Sequence, residues 1–183
     1  AKVVDDWIGR ALELASPEAG KIALRAGNAD IIVSDWLWVS RERTLGAKLT
    51  FYPYSSALGA VMVPASSPLQ TLADLKGRKL AVAGGPIDKN WLLLQAFLKQ
   101  GGIDLKSDAT IAYGAPPLLM AKTLGGEMDA TLNYWNFCAV MEAKGFRRVA
   151  GIEDLLPKLG ARGRTAMIGY VFDEKWASAN QDP

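Results

Sequence analysis

The sequence contains no histidine and a single cysteine, and these two scarcities exclude several classes of function. Without histidine there is no Ser-His-Asp or Cys-His catalysis, no histidine proton shuttle and no histidine-ligated metal. One cysteine cannot close an intramolecular disulfide, and Cys138 lies in an apolar run that predicts a core position rather than a nucleophile. Phosphate or metal chemistry through carboxylates alone stays open, although no carboxylate pair suggests an acid–base site.

Long apolar runs and clusters of charge are also missing. No uninterrupted apolar run reaches about 18 residues, so no transmembrane helix is predicted. The net charge of +2 is spread along the chain without a basic cluster carrying interleaved aromatics, so a nucleic-acid partner is not indicated. What is present, 50% hydrophobic and 22% charged residues among 183, is typical of a globular protein with one large domain or two small ones.

Two stretches, residues 24–38 and 123–137, repeat one pattern. Each predicts a helix, a glycine that ends it, a short buried strand and a polar-aromatic corner that opens another helix. The corner follows the carboxyl end of a strand, where open α/β sheets bind ligands. The matching positions are Gly27, Asp30, Trp36 and Trp38 in the first copy and Gly126, Asp129, Trp135 and Phe137 in the second. We interpret the repeat as two similar α/β lobes.

The rest of the chain alternates between strand and helix patterns. Strands are predicted at 30–34, 49–53, 59–63, 79–83, 110–113, 146–150 and 167–172, besides the strand of the second copy. Helices are predicted at 3–14, from the Ser16 cap to Gly27, at 36–44 and at 88–100. Further helices are predicted from Pro116 or Pro117 to Leu124, from the second corner to Gly145, and from 173 onward. This βαβα alternation predicts a parallel-rich sheet in each lobe.

Several of these motifs, taken in order, resemble a known family. Residues 67–82 (SPLQTLADLKGRKLAV) are followed by the Gly84-Gly85 turn, a long helix and the segment 122–130 (KTLGGEMDA). Over roughly residues 16 to 176 this order is similar to that of the periplasmic solute-binding proteins of ABC importers, in the nitrate/sulfonate/taurine (NMT1/THI5-like) group. The opening strand and closing helices of that group have no counterpart here, so we interpret the chain as truncated.

The resemblance implies the type II periplasmic-binding fold, with two βαβ lobes joined by a hinge and the first lobe incomplete. Residues 1–63 and 166–183 would form the first lobe and residues 64–165 the second. The implied function is non-enzymatic and uses no cofactor or metal: a monomer captures a small organic solute in the cleft between the lobes, closes by hinge motion and is recognised by the ABC permease. The implied location is periplasmic, or extracellular and membrane-anchored in a Gram-positive cell.

Ligand-binding candidates are the polar and aromatic residues at strand ends. They are Asp35, Trp36, Tyr54 and Ser55 in the first lobe, and Gly84, Gly85, Asp88, Tyr113, Asn133 and Trp135 in the second. Each also has a structural interpretation: the aspartates as helix caps, the tryptophans as core and the glycines as a tight turn. Asp35 and Asp88, both negative, are the charged residues among these candidates, and the others are aromatic or neutral. A planar or partly cationic solute is therefore favoured over a small anion.

Two other functions belong to the same fold class. Pyrimidine-precursor synthases share the architecture, but their chemistry consumes a histidine of the protein itself, and this sequence has none. The alternative that stays open is the ligand-sensing effector domain of a LysR-type transcription regulator. That alternative would require an attached helix-turn-helix segment.

Overall fold

The computed structural model describes residues 17–163 and 165–180. The helix predicted at 3–14 and the Ser16 cap lie outside the described residues. Within them, the strands are β1 (Ile31–Asp35), β2 (Leu49–Ser55), β3 (Ala60–Pro64), β4 (Lys79–Ala83), β5 (Thr110–Gly114), β6 (Ala130–Asn133), β7 (Phe146–Gly151) and β8 (Ile168–Asp173). The α-helices are α1 (Pro17–Arg25), α2 (Trp36–Thr44), α3 (Lys89–Gln100), α4 (Leu105–Asp108), α5 (Pro116–Leu124), α6 (Trp135–Ala143) and α7 (Glu174–Ala179). Short 3-10 helices span Leu72–Leu75, Glu153–Leu155 and Pro157–Leu159.

The described chain divides into two compact units. Residues 17–56 and 166–180 form the first unit, and residues 57–165 form the second. Strand β3 belongs to the second unit because it pairs with β6 and β7, whereas the division predicted from sequence ended the first lobe at residue 63.

The first unit is a three-stranded sheet in the order β1-β8-β2. Helices α1 and α2 cover one of its faces, where Ile32, Trp38 and Val171 are buried in a common apolar cluster. The expectation of a parallel-rich sheet is wrong here. Strand β8 enters between β1 and β2 and runs antiparallel to both, so no two neighbouring strands in this sheet are parallel.

The second unit is a five-stranded mixed sheet in the order β5-β4-β6-β3-β7. Strands β5, β4 and β6 are parallel, while β3 runs antiparallel to β6 and β7. The central strands are buried on both faces, as their unbroken apolar sequences predict, and Leu80, Val82 and Val61 are fully inaccessible to solvent. Three parallel strands therefore end along one edge of this sheet.

Across residues 17–163 and 165–180, no helix is both long enough and apolar enough to cross a membrane. Nor does this part of the chain hold a group of three or more His, Cys, Asp or Glu side chains suited to a metal ion.

Candidate functional site

The second unit brings its six candidate residues to the edge where β4, β5 and β6 end. The register pairs Ala83 with Gly114 at the ends of β4 and β5, and Val82 with Leu132 on β6. Backbone bonds continue past the strands, since the Gly84 N–H donates to the Gly114 carbonyl over 3.1 Å. Open α/β sheets place ligands at this edge.

The turn between β4 and α3 requires a glycine at its first position. Gly84 has φ +93°, a left-handed conformation that costs other residues about 1 kcal/mol or more. A Cβ at this position would also lie 2.6 Å from the Tyr134 hydroxyl and 3.0 Å from the Asp88 carboxylate. The backbone of the turn thus approaches both side chains more closely than any side-chain-bearing residue allows. Gly85 is buried in the same turn.

Asp88 is the N-cap of α3, as the sequence suggested. Its Oδ1 accepts a hydrogen bond of 2.8 Å from the Asn90 N–H, and its Oδ2 accepts one of 3.0 Å from the Tyr134 hydroxyl. The residue is 4% exposed. Both carboxylate oxygens are therefore engaged within the protein, and the charge is stabilised by two neutral donors.

Lys89 brings a cation to the same cluster. Its Nζ lies 3.9 Å from Asp88 Oδ2 and 5.1 Å from the centre of the Tyr134 ring. The side chain is 14% exposed, so most of its length is covered. The cluster of Asp88, Lys89 and Tyr134, called here the edge cluster, combines one buried carboxylate, one largely buried ammonium and one aromatic ring.

Asn133 and Trp135 occupy the corner after β6 in different ways. Asn133 is completely buried, with Nδ2 donating to the Pro116 carbonyl over 3.1 Å and Oδ1 accepting from the Tyr134 N–H over 2.9 Å. Its amide therefore holds the start of α5 and the corner itself. Trp135, the first residue of α6, is 56% exposed and offers its indole to solvent. Of the two, Trp135 has the accessible surface that a ligand contact needs.

Tyr113 lies near the end of β5 with its ring partly exposed. It is 39% exposed, and its ring meets that of Trp91 edge-on at 6.1 Å between centres. Trp91 is fully buried in α3 and so fixes the tyrosine against the sheet edge. Burial raises the pKa of the Tyr113 phenol, which keeps it a neutral donor and acceptor.

In the first unit, Asp35 and Trp36 form the corner after β1. Asp35 is 3% exposed and caps α2, its Oδ1 accepting from the Trp38 N–H over 2.9 Å. Trp36 is 38% exposed, and its indole N–H donates to the Met167 sulfur over 2.9 Å. Trp38, two residues further along, is 4% exposed and belongs to the apolar core of this unit.

Tyr54 and Ser55 end β2 at the same end of that sheet. Ser55 and Asp35 both pair with Ile168 of the intervening β8, so all four first-unit candidates lie at one end of the sheet. The Tyr54 ring is 4.8 Å from the Tyr170 ring, and 52% of Tyr54 is exposed. Burial, together with the repulsion expected from a Tyr170 phenolate, raises the pKa of Tyr54.

The prediction from sequence omitted Lys89 and Tyr134 from the site, although both adjoin residues it named. Lys89 follows Asp88 directly, so its place next to the candidate cap is visible in the sequence. Tyr134 lies between Asn133 and Trp135 and contacts Asp88 across a long stretch of sequence, which no local pattern reveals. The statement that Asp35 and Asp88 are the charges near the candidates is accordingly wrong, since Lys89 lies in the edge cluster.

Cys138 shows the position expected of it. The residue is completely buried in α6, and its thiol lies 3.3 Å from the Asn133 carbonyl oxygen. Burial raises the pKa of the thiol, which disfavours the reactive thiolate. The prediction of a core cysteine is confirmed.

Comparisons with known proteins give a family and a fold. A family model described as NMT1/THI5 like matches residues 12–182. The alkanesulfonate-binding protein SsuA from Xanthomonas axonopodis pv. citri, solved bound to MOPS, is 24% identical with a TM-score of 0.73, over 92% of this chain and 56% of that one. The periplasmic aliphatic sulphonate binding protein SsuA from Escherichia coli is 22% identical with a TM-score of 0.71, over 98% of this chain and 61% of that one.

A third similar structure is the ligand binding component of an ABC-type import system from Staphylococcus aureus. It is 13% identical with a TM-score of 0.71, over 93% of this chain and 57% of that one. A search of curated proteins found no match. The chain thus has the fold of these binding proteins and spans between 55% and 61% of the length of the first four of them.

Proposed function

Because the chain belongs to the NMT1/THI5-like family, we propose that it is the solute-binding component of an ABC importer. It captures a small organic solute outside the inner membrane, in the periplasm, without changing it chemically. Closure of the two lobes about their hinge then presents the loaded protein to the permease. The observation that supports this proposal most directly is the family match over residues 12–182.

The edge of the second unit's sheet supports the same function on physical grounds. Parallel strands end there, and partly exposed Tyr113, Trp135 and Ile87 lie at the ends of these strands or next in sequence to residues of the edge cluster. Exposed aromatic rings beside a rigid hydrogen-bonded cluster suit a molecule with an apolar or planar part. The similar proteins named for alkanesulfonates make those compounds the first solutes to test.

The proposal is tested by thermal denaturation of the 183-residue chain against a panel of solutes. The panel contains MOPS, butane-1-sulfonate, taurine, nitrate, pyrimidine and thiamine precursors, and amino acids, all at matched ionic strength. A solute at about 100 times its Kd adds about 2.7 kcal/mol to the free energy of unfolding, which raises the Tm by several degrees. One selective shift is the expected result. A cooperative transition that no compound shifts would contradict the proposal.

A pair of variants on α6 locates the binding surface. Trp135→Ala removes a side chain that is 56% exposed, so we expect an unchanged Tm without solute and a smaller shift with it. Val140→Ala on the same helix, 44% exposed, is the matched control and should retain the full shift. Equal shifts in both variants would remove Trp135 from the site.

A further inference from the structure

We propose that the first unit forms a symmetric dimer with a second copy of this chain through the uncovered face of its sheet. Helices α1 and α2 cover one face of the sheet, where Ile32 and Val171 are buried. The opposite face, called here the open face, is made of residues that alternate with the buried ones along the strands. Its members are Ile31, Val33, Tyr52, Tyr54, Tyr170 and Phe172.

The side chains at the centre of the open face are aromatic or apolar and yet exposed. The register places Val33, Tyr170 and Tyr52 side by side, and they are exposed by 49%, 46% and 66%. Tyr54 is 52% exposed, and its ring centre lies 4.8 Å from that of Tyr170, so the exposed surface is continuous. Contiguous patches of this kind mark interaction sites, and tyrosine is enriched where proteins associate.

The area of the open face is sufficient for association. Since an aromatic side chain presents up to about 250 Å², the four exposed side chains together present about 500 Å². Two copies packed face to face would remove about 1,000 Å² from water, which is the size at which specific interfaces begin. Ile31 and Phe172, half-buried in the adjoining row, add to this area. We therefore expect a dimer of modest affinity.

The absence of charge on the open face favours a second copy as the partner. The two rows of paired residues across β1, β8 and β2 contain isoleucine, valine, threonine, phenylalanine and tyrosine. Asp35, the acid at the end of β1, is 3% exposed and caps α2. In a symmetric dimer a patch meets itself, so a charged patch would repel its copy and an uncharged one does not. An acidic or basic partner, or an anionic lipid surface, would gain little from this face.

The position of Tyr170 determines how the two copies meet. The residue lies on the central strand, so a twofold axis through the open face brings it next to the same residue of the second copy. Sheets packed in this way lie about 10 Å apart, with the side chains of the two faces interdigitated. Such a dimer replaces the monomer that the family resemblance implied.

Sedimentation velocity of the full chain tests this dimer. Wild-type protein is compared with Tyr170→Lys and Tyr170→Asp, each of which sets two like charges against each other at the centre of the interface. Tyr52→Lys repeats the test at a more exposed position, and Ile22→Lys is the matched control, 66% exposed on a helix that covers the opposite face. Tm values establish that each variant is folded.

We expect the mass of the wild-type protein to rise from one chain toward two between about 1 and about 500 μM, the behaviour of an interface near the lower size limit. The three variants on the open face should each weaken self-association at least tenfold, and Ile22→Lys should behave as wild type. An equimolar mixture of Tyr170→Lys and Tyr170→Asp should recover the dimer, because opposite charges then meet.

Three results would overturn the dimer. A wild-type mass of one chain at every concentration would do so, and protection of Tyr52 and Tyr170 from iodination in that monomer would show that another part of the same chain covers the open face. Self-association unchanged in the open-face variants would place the interface elsewhere. A mixture of the two Tyr170 variants that stays monomeric would refute the symmetric contact.

Discussion

The two corners that repeat in sequence have the same backbone plan and different chemistry. In each, a left-handed glycine follows a helix, Gly27 at φ +69° after α1 and Gly126 at φ +78° after α5. A short strand comes next, and a tryptophan then opens another helix. The predicted buried strand is confirmed for β6 but wrong for β1, where Val33 is 49% exposed because one face of that sheet is open to solvent. The polar groups of the two corners, however, are used differently.

The first corner is largely closed by its own contacts. The Asp35 carboxylate caps α2 through the Trp38 N–H, and the Trp36 indole donates to Met167. Its strand is an edge strand that pairs only with β8 among the described strands. This corner therefore uses its polar side chains mainly to hold itself in place.

The second corner leaves its aromatic residue accessible. Tyr134 is the N-cap residue of α6, but its side chain makes no hydrogen bond to the backbone of that helix. Its hydroxyl donates to Asp88 instead. Trp135 is exposed, and the strand lies in the middle of its sheet beside β4, which leads to Asp88 and Lys89. The comparison teaches that a local pattern determines the backbone of a corner, whereas neighbouring strands determine which charges meet there.

Breaking the backbone of the second corner should have the largest effect. Gly59 packs against it so closely that a Cβ would lie 1.9 Å from the Asn133 carbonyl oxygen and 3.4 Å from the Tyr134 Cα. Since both contacts are backbone, the strand must move, and Gly59→Ala should lower the free energy of unfolding by about 3 kcal/mol. Urea denaturation followed by circular dichroism measures the change.

Gly85→Ala is the control for that measurement. A Cβ at Gly85 meets nothing within 4 Å, and its φ is not left-handed, so the free energy of unfolding should change by less than about 1 kcal/mol. Equal destabilisation by the two substitutions would show that the close approach of Gly59 to the corner does not matter for stability.

Exchanging the polar residue of each corner for alanine should separate their roles. Asn133→Ala leaves the Pro116 carbonyl and the Tyr134 N–H without their buried partner, which should cost about 2 kcal/mol. Asp35→Ala loses a helix cap and should cost about 1 kcal/mol, while Asp35→Asn keeps the acceptor and should cost little. Urea titrations of the three variants test this order, and a larger loss in Asp35→Ala than in Asn133→Ala would contradict it.

Much of the fold follows from the sequence because its signals are local. The apolar run at 80–83 is buried on both faces, the Asp88 and Asp35 caps form where the acid precedes a helix, and the glycines of the repeat end their helices. The family resemblance came from such local motifs in order. It is confirmed by the match over residues 12–182.

The parts that escaped prediction depend on residues far apart in the chain. The sequence predicts that β8 is a strand. It does not predict that β8 pairs between β1 and β2, antiparallel to both, because that pairing joins segments far apart in the chain. The edge cluster likewise joins Asp88 and Lys89 to Tyr134 through one hydrogen bond and one cation–π contact. Periodicity and capping rules carry no information about such contacts, so the approach of Tyr134 to Asp88 and Lys89 could not be predicted, although Lys89 itself adjoins Asp88 in the sequence.

The smallest expected effect concerns the tyrosines near the two corners. The pKa of each is raised, but the causes differ. For Tyr54 burial is reinforced by repulsion from Tyr170, whereas for Tyr113 burial is the cause. In both, the neutral phenol is favoured in the folded state. The contribution of each tyrosine to stability is therefore present below the ordinary tyrosine pKa of about 10 and is lost as pH rises through the folded pKa.

Tyr170→Phe removes one phenolate and keeps the ring, so the pKa of Tyr54 should fall toward its ordinary value while that of Tyr113 stays unchanged. Carbon-13 NMR of labelled tyrosines between pH 8 and about 12 resolves the two titrations. A Tyr54 curve that does not move would mean that burial alone holds its pKa, and the two units would then treat their tyrosines alike.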